Sequence, residues 1–444
     1  MSTEALRICI GLSIAIGSMI MLSRWWKVHA FISLLLASLL YGIITGQALP
    51  TIIASMQTGF GSLLSQIGLL VVLGSILGML LEKSGGMEVI SLSVLRFLGP
   101  RKSVSGMTVI GALVGIPVFC DSGFIILSKL IPSIAAKASV PPASLTLGLS
   151  SGLYTTHTLV PPTPGPLAAA ANFSATNDIG IIMIMGFLVS IPVVIVSFLL
   201  AQRLGSKISS AFTQESISAS AKFSSGKAFL PLVLPIVLIA CSSLFQVLQV
   251  NNMLTTVITT LGIPVLALTI GILAALPLLT ADQRKPLPLW MVDAMKDAGI
   301  ILLVTGAGGA FGAVIKGSQL DLILKDFLAN SSTYGISFLI VGFVLAALLK
   351  TAQGSSTSSI IITSSLLAPL AHLAGVQSPM QVALLIITIG GGAMTVSHVN
   401  DSYFWVVSQF GKINSDDALR SHTLLTFFQG ITVLLVSVLL FLLL

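Results

Sequence analysis

Thr155-Thr156-His157-Thr158-Leu159-Val160-Pro161-Pro162-Thr163-Pro164-Gly165-Pro166 interrupts an apolar stretch that runs from about Ala143 to Ala171. Four prolines and a glycine within six residues cannot continue an α-helix. Each proline lacks a backbone N–H, and its ring strikes the preceding turn. Unwound main chain at membrane depth is tolerated only where it is buried in protein or lines a wet cavity. In a membrane protein, such a break marks a binding site.

The composition puts the chain in a membrane. Of its 444 residues 55% are hydrophobic and 8% charged, with a mean hydropathy of +1.06. A soluble domain carries roughly 25% charged residues, so a chain this apolar could not cover its own surface. An all-α polytopic membrane protein follows. Cys9, Cys120 and Cys241 lie far apart in apolar runs and show no metal or disulfide spacing. The first apolar run, Ile8 to Leu22, lacks a basic leader and a small-residue cleavage site, which predicts a retained helix. The formal charge of +7 comes from basic residues clustered between spans, which points to loops beside a membrane rather than to nucleic acid.

About 20 apolar residues span a bilayer. Spans are predicted near 6–23, 28–46 and 60–81, followed by an amphipathic stretch, Glu82–Lys102. Residues 103–138 are cut at Val118-Phe119-Cys120-Asp121-Ser122-Gly123 into arms too short to cross, which predicts a re-entrant hairpin. The broken helix 143–172 and a span at 179–200 complete a first unit, 1–200. Residues 201–228, rich in serine with Arg203, Lys207, Lys222 and Lys227, read as a cytoplasmic linker. The second unit, 229–444, has spans near 229–249, 254–280 and 299–316, then an amphipathic piece, Gly317–Asn330. A second hairpin, 334–372, is cut at Lys350-Thr351-Ala352-Gln353-Gly354-Ser355-Ser356-Thr357. A second broken helix, 379–411, is interrupted at Thr395-Val396-Ser397-His398-Val399-Asn400-Asp401-Ser402, and a last span runs 421–444.

The two units register on each other. Gly74 and Gly78 match Gly308 and Gly312 at the same offset that takes Asp121 to Ser355 and Thr156–Pro166 to Gly390–Asn400. Three features sharing one offset indicate a duplicated unit. Five crossings per unit is an odd number, so the second unit must be inverted. With both termini periplasmic, every Lys and Arg except Arg7, Lys316, Lys325 and Lys350 falls on the cytoplasmic side, which satisfies the positive-inside rule. Inverted repeats with discontinuous helices meeting at mid-bilayer are characteristic of secondary transporters.

Two hairpin tips and two broken helices converge in this reading. Helix N-termini there present unpaired N–H groups and a positive dipole end, suited to a carboxylate. Ser122, Gly123, Gly354, Ser355, Ser356 and Thr357 would form an anion nest with hydroxyl donors. Thr155, Thr156, Thr158, Thr163, Gln353, Ser397, Asn400 and Ser402 lie at or beside the breaks, where their polar groups could meet substrate hydroxyls, although such groups also bond their own helix backbone. His157 and His398 could carry a proton or simply pack. Asp121 and Asp401 are costly inside a bilayer and functional by default, and either could also cap a helix. Lys350 is expected to snorkel to the outer surface in preference to attracting the anion. His29, His372 and His422 are placed at the interface, with Trp25, Trp26 and Trp290 as anchors. Gly306, Gly308, Gly309 and Gly312 suit close helix contact. No catalytic set, P-loop lysine motif or metal-ligand histidine pair is present in the sequence, so no enzyme activity, cofactor or metal is expected.

The sequence resembles the gluconate:proton symporter family, which also takes other sugar acids and D-serine. The likeness rests on Gly115-Ile116-Pro117-Val118-Phe119-Cys120-Asp121-Ser122-Gly123-Phe124, on Thr156-His157 with Val160–Pro166, and on Thr305–Gly309. Ala352-Gln353-Gly354-Ser355 and Ser397-His398-Val399-Asn400-Asp401-Ser402 extend it. The resemblance implies a homodimeric elevator of the ion transporter superfamily, with a static scaffold (spans 6–46 and 229–280) and a moving transport domain. It implies a bacterial inner-membrane carrier that imports a small anionic, hydroxylated carboxylate with protons. His157, His398, Asp121 and Asp401 are then the proton-coupling candidates. Family members often carry a second histidine where this chain has Thr163 and an aliphatic residue where it has Ser122, which admits glycerate or D-serine as substrate. The rival readings are a sodium-coupled carrier of the same architecture, a channel, or a membrane-embedded enzyme.

Overall fold

The computed structural model describes residues 3–99, 102–208, 224–247, 253–318, 334–398 and 401–444. Among them there is no β-strand. The first half contains α1 (Thr3–Arg24), α2 (Ala30–Ile44), α3 (Leu49–Ser84), α4 (Gly86–Leu98), α5 (Ser103–Val114), α6 (Cys120–Ser128) and α7 (Ile131–Ala138). It closes with α8 (Pro142–Leu159), α9 (Pro164–Asn172) and α10 (Ile179–Gly205). The second half contains α11 (Ser225–Val247), α12 (Met253–Leu261), α13 (Pro264–Ala275), α14 (Ala281–Arg284), α15 (Leu287–Lys316), α16 (Tyr334–Gln353) and α17 (Ser356–Ala371). It closes with α18 (Pro379–Met394), α19 (Ser402–Phe410) and α20 (Ser415–Leu442). The centre of the linker (209–223) and most of the amphipathic piece Gly317–Asn330 (319–330) lie outside the described residues.

Residues Leu49–Ser84, Thr176–Gly205, Ser225–Ser242, Leu287–Lys316 and Ser415–Leu442 are each long and apolar enough to cross a membrane. The lipid-facing sides are legible on them. On α10, Ile184, Leu188, Ile191, Ile195 and Leu199 are exposed at helical spacing, and on α20 so are Leu424, Phe428, Leu435, Leu439 and Leu442. The chain is a multi-pass membrane protein.

Several element bounds differ from the hydropathy reading, for local reasons. Helix α15 begins twelve residues before the predicted 299, because Trp290–Asp297 continue the helix into a solvated turn where Lys296 pairs with Asp293 at 3.2 Å. Hydropathy registers where the apolar stretch ends, not where the helix does. Likewise α3 starts at Leu49, with Pro50 in its first turn, rather than at residue 60. The stretch 254–280 is bent by 74° at Gly262–Ile263, just before Pro264. The stretch predicted as the second arm of the first hairpin is itself divided, α6 ending and α7 beginning around Lys129–Leu130, ahead of Pro132.

The quoted stretch breaks later than its first polar residue. Thr155–Leu159 stay helical, because their N–H groups are intact, and Val160 still donates to the Thr156 carbonyl at 2.9 Å. Val160, which precedes a proline, is extended (φ −121°, ψ 118°). Pro164 then opens α9 in the first turn, where its missing N–H costs nothing. The second break covers Thr395–Asp401 and includes Val396 at φ 60°, a left-handed conformation uncommon for a β-branched residue.

The two broken helices are the core. Every residue of α8 from Ala143 to Leu159 is buried, and every residue of α18 from Ala383 to Met394. Helix α8 packs on α5 so closely that a Cβ on Gly152 would lie 2.0 Å from the Thr108 carbonyl oxygen. Helices α3 and α15 cross at Gly59 and Gly309 in the same manner, the close approach of small residues that membrane helices use.

Candidate functional site

A cavity of about 400 Å³ lies where the breaks meet. It is lined by Phe119, Cys120 and Asp121 at the start of α6, and by Ser355, Ser356, Thr357 and Ser358 at the start of α17. Asp401, Ser402 and Tyr403 at the start of α19 join them, with Tyr154 and His157 from α8. Val28 and His29 ahead of α2, Ile300, Ile301 and Val304 on α15, and Ile361 supply the rest of the wall. Three helix N-termini thus face one space. Each offers backbone N–H groups that no helical carbonyl satisfies, and the positive end of its dipole.

The second hairpin tip is built from Gly354, at φ +83°, and Ser355. The Ser355 hydroxyl caps α17 by accepting from the Ser358 N–H at 3.2 Å. Two further hydroxyls, Ser356 and Thr357, follow in the first turn and line the cavity. At the first tip, Phe119 is the residue ahead of α6 and makes no side-chain cap. Its ring lies 6.0 Å from that of His157. Asp121 stands in the first turn of α6, and its Oδ1 is buried without a hydrogen-bond partner among the described residues.

Both oxygens of Asp401 have partners. It caps α19 by accepting from the Tyr403 N–H at 3.1 Å, accepts from the Ser397 hydroxyl, and pairs with Lys350 at 2.5 Å. Lys350 does not snorkel. It is 1% exposed, donates to the Gly354 carbonyl at 2.7 Å, and lies 5.7 Å from the centre of the Tyr154 ring. A lysine this close to a buried carboxylate gains more from the ion pair and the tip carbonyl than from reaching for water. His422 also departs from its interfacial placement. It is fully buried, and its ring packs 5.7 Å from that of Tyr403.

Of the residues singled out in the sequence, the cavity brings together Asp121, His157, Ser355, Ser356, Thr357, Asp401 and Ser402. Others are placed elsewhere. Thr156, Thr158 and Thr163 donate to backbone carbonyls of Ala112, Tyr154 and Val160 at 2.7, 3.0 and 2.6 Å. Thr155 donates to the Ser151 carbonyl at 2.8 Å, and Gly123 packs under Leu153. Ser397 spends its hydroxyl on Asp401, and the carbonyl of His398 accepts from the Asp401 N–H at 2.8 Å. Ser122 faces a second cavity of about 320 Å³, with Glu82, Lys83, Trp290, Asp293 and Asp297, of which Phe119 is also a wall. Asn400 and the side chain of Gln353 lie outside the described residues. Tyr154, Tyr403, Cys120 and Phe119 were not picked out from the sequence. Tyr154 sits one helical turn before His157 on the same face, a signal that was available.

A multi-pass helical protein with a polar cavity at the meeting of its interrupted helices is, by class, a membrane permease. The comparisons with known proteins place it more narrowly. The chain belongs to the GntP permease family: the family model, described as GntP family permease, matches residues 7–444. An uncharacterized permease of Haemophilus influenzae is 34% identical over 430 residues, covering 91% of this chain and 86% of that protein. A gluconate permease of Zymomonas mobilis is 28% identical over 437 residues, covering 94% of each. Among solved structures, the Alcanivorax borkumensis YdaH transporter, titled as having an unusual topology, matches at a TM-score of 0.67 and 17% identity. The match covers 92% of this chain and 96% of that one, and is a likeness of fold. The chain is a permease and not an enzyme.

Proposed function

We propose that this permease is a secondary carrier of the bacterial inner membrane that imports a small hydroxylated carboxylate, a sugar acid of the gluconate type, together with protons. The observation that carries the reading is the convergence of three helix N-termini and the Ser355–Ser358 hydroxyls on one cavity. An anion is stabilised by such N-termini, and a polyol by clustered hydroxyls. The volume falls in the usual range for small-molecule sites, roughly 300–1,000 Å³. Membership of a family with a relative named for gluconate favours the same substrate class.

The proposed mechanism is an elevator built from two inverted repeats, working as a homodimer with both termini periplasmic. Element order supports the repeat. Helices α8, α9 and α10 begin at Pro142, Pro164 and Ile179, and α18, α19 and α20 at Pro379, Ser402 and Ser415, with near-constant spacing between the halves. The positive-inside distribution supports the inversion. Binding occurs at the shared cavity, the hairpins and broken helices move as one body, and His157, His398, Asp121 and Asp401 are the groups from which the coupled proton must be chosen.

Counterflow in proteoliposomes tests this. Preloaded gluconate should drive uptake of labelled gluconate, and a panel of glycerate, D-serine and other sugar acids should rank below it. Uptake should follow an imposed pH gradient. Uptake that needs sodium and ignores pH would replace the proton with sodium, and no exchange across the panel would end the sugar-acid reading.

A further inference from the structure

The charged groups around the cavity do not balance. Among the described residues they are Asp121, Asp401 and Lys350, and the adjoining undescribed positions, Val399 and Asn400, carry no charge. Lys350 and Asp401 cancel each other at 2.5 Å, both buried. They also bond the Gly354 carbonyl, the Ser397 hydroxyl and the Tyr403 N–H. A proton on Asp401 would leave a buried ammonium without its partner, which is strongly unfavourable. Asp121 has no such support, since its Oδ1 is buried and unbonded.

The surroundings of Asp121 are explicit. Helix α8 presents Tyr154 and His157 to the shared cavity, α19 presents Asp401 and Tyr403, and Cys120 is its own neighbour. Lys350 acts from α16, and Asp401 and Lys350 are the charges that act on Asp121. Helix α4, which also touches α6, carries Glu88 and Arg96, and α5 has no titratable residue.

We propose that Asp121 is the group whose proton accompanies the substrate, one proton per monoanion, while Lys350 and Asp401 form a fixed neutral pair. The inference rests on the transport reading above. With Asp121 ionised, the empty site holds one net negative side-chain charge, and a bound monoanion would add a second that the helix N-termini meet only with partial charges and no unpaired cation offsets. Buried groups in that position take up a proton instead. The proton forms an O–H bond on the Asp121 carboxyl when the anion binds, and that bond breaks when the anion leaves on the other side. The loaded and empty sites then carry the same charge. Protonation also converts Asp121 from acceptor to donor, so its O–H faces a substrate oxygen instead of repelling it. His157 needs no proton to sit where it does, because a neutral imidazole has no charge to offset.

The test uses full-length protein in proteoliposomes with gluconate as the probe. Wild-type counterflow comes first, and its failure across the sugar-acid panel would refute the transport reading before coupling is addressed. With one proton per anion, accumulation at steady state should rise about tenfold for each unit of imposed pH gradient. A membrane potential alone should drive none. In Asp121→Asn, counterflow should persist at a reduced rate while the pH-driven accumulation ratio falls to about one. In His157→Gln, whatever its rate, accumulation should still follow the pH gradient. Wild-type-like accumulation by Asp121→Asn, loss of accumulation with retained counterflow in His157→Gln, or accumulation driven by potential alone would each overturn the proposal. Should Asp121→Asn not reach the membrane, the His157→Gln result and the potential measurement decide.

Discussion

The two helical segments around the tips, α5–α7 and α16–α17, are held together by different means. The first is held by shape. Its arm α5 lies so close against α8 that Gly152 and Gly115 leave no room for a side chain, their Cβ positions falling 2.0 Å from the Thr108 oxygen and 2.5 Å from the Leu153 oxygen. Its tip has no side-chain cap, and one oxygen of its acid, Asp121 Oδ1, is buried without a hydrogen-bond partner among the described residues. The second is held by charge and caps. Lys350 ties the tip carbonyl to Asp401, Ser355 caps α17, and Ser359 joins the arms by donating to the Ala346 carbonyl at 2.6 Å. A tip whose charges are paired and whose helix is capped is a fixed wall. A tip with an unsatisfied carboxylate is where chemistry can change between states.

The largest expected effect lies in the second hairpin. Lys350→Met leaves Asp401 ionised, buried and unpaired, at a cost of about 3–5 kcal/mol. Thermal unfolding in detergent should show the loss, and counterflow should vanish. Lys350→Met/Asp401→Asn removes both charges together and should recover more than half of that stability. If the double variant is as unstable as the single, the pair is not what holds this tip. Next comes the first hairpin. Gly152→Ala forces α5 and α8 apart and should cost about 1–3 kcal/mol, whereas Gly61→Ala, where the added methyl meets nothing within 4 Å, should not destabilise. Equal melting temperatures for the two variants would contradict the shape-held description of the first hairpin.

Much of this contrast was readable in the sequence, and the unread part has a common cause. Prolines and glycines at 161–166, 117–123 and 354 announce broken helices through local backbone physics, which needs no partner to be known. Asp121, His157 and Ser355–Thr357 followed, as polar residues beside those breaks. Lys350 was misread because its partner Asp401 lies in another helix and shares no spacing with it; a lysine near the end of an apolar helix ordinarily snorkels. His422 was misread for the same reason, its aromatic neighbours Tyr403 and Phe404 being contributed by a separate element. Threonines 156, 158 and 163 were over-read, since a hydroxyl in a buried helix has a backbone carbonyl within reach. The cap at Ser355 is a smaller instance of local legibility. Ser355→Ala should cost about 1 kcal/mol and raise the half-saturating gluconate concentration, read from the initial rate of uptake. An unchanged value would place the substrate away from this tip.

The smallest effect is expected at His422, and it bears on whether the second break carries a titrating group of its own. The imidazole is enclosed by Tyr403 and Phe404 rings, and neither ring nitrogen has a hydrogen-bond partner among the described residues. It fills space beside Asp401 without bonding anything. Replacing a buried polar group that makes no bond with an apolar ring of similar shape removes a desolvation cost and loses nothing. His422→Phe should therefore change stability by less than about 1.5 kcal/mol, with a neutral or stabilising sign, and leave the pH profile of gluconate uptake where it was. A shifted profile in this variant, with the fold intact, would mean that protons are also handled behind Asp401. The division between a static second tip and a responsive first one would then fail.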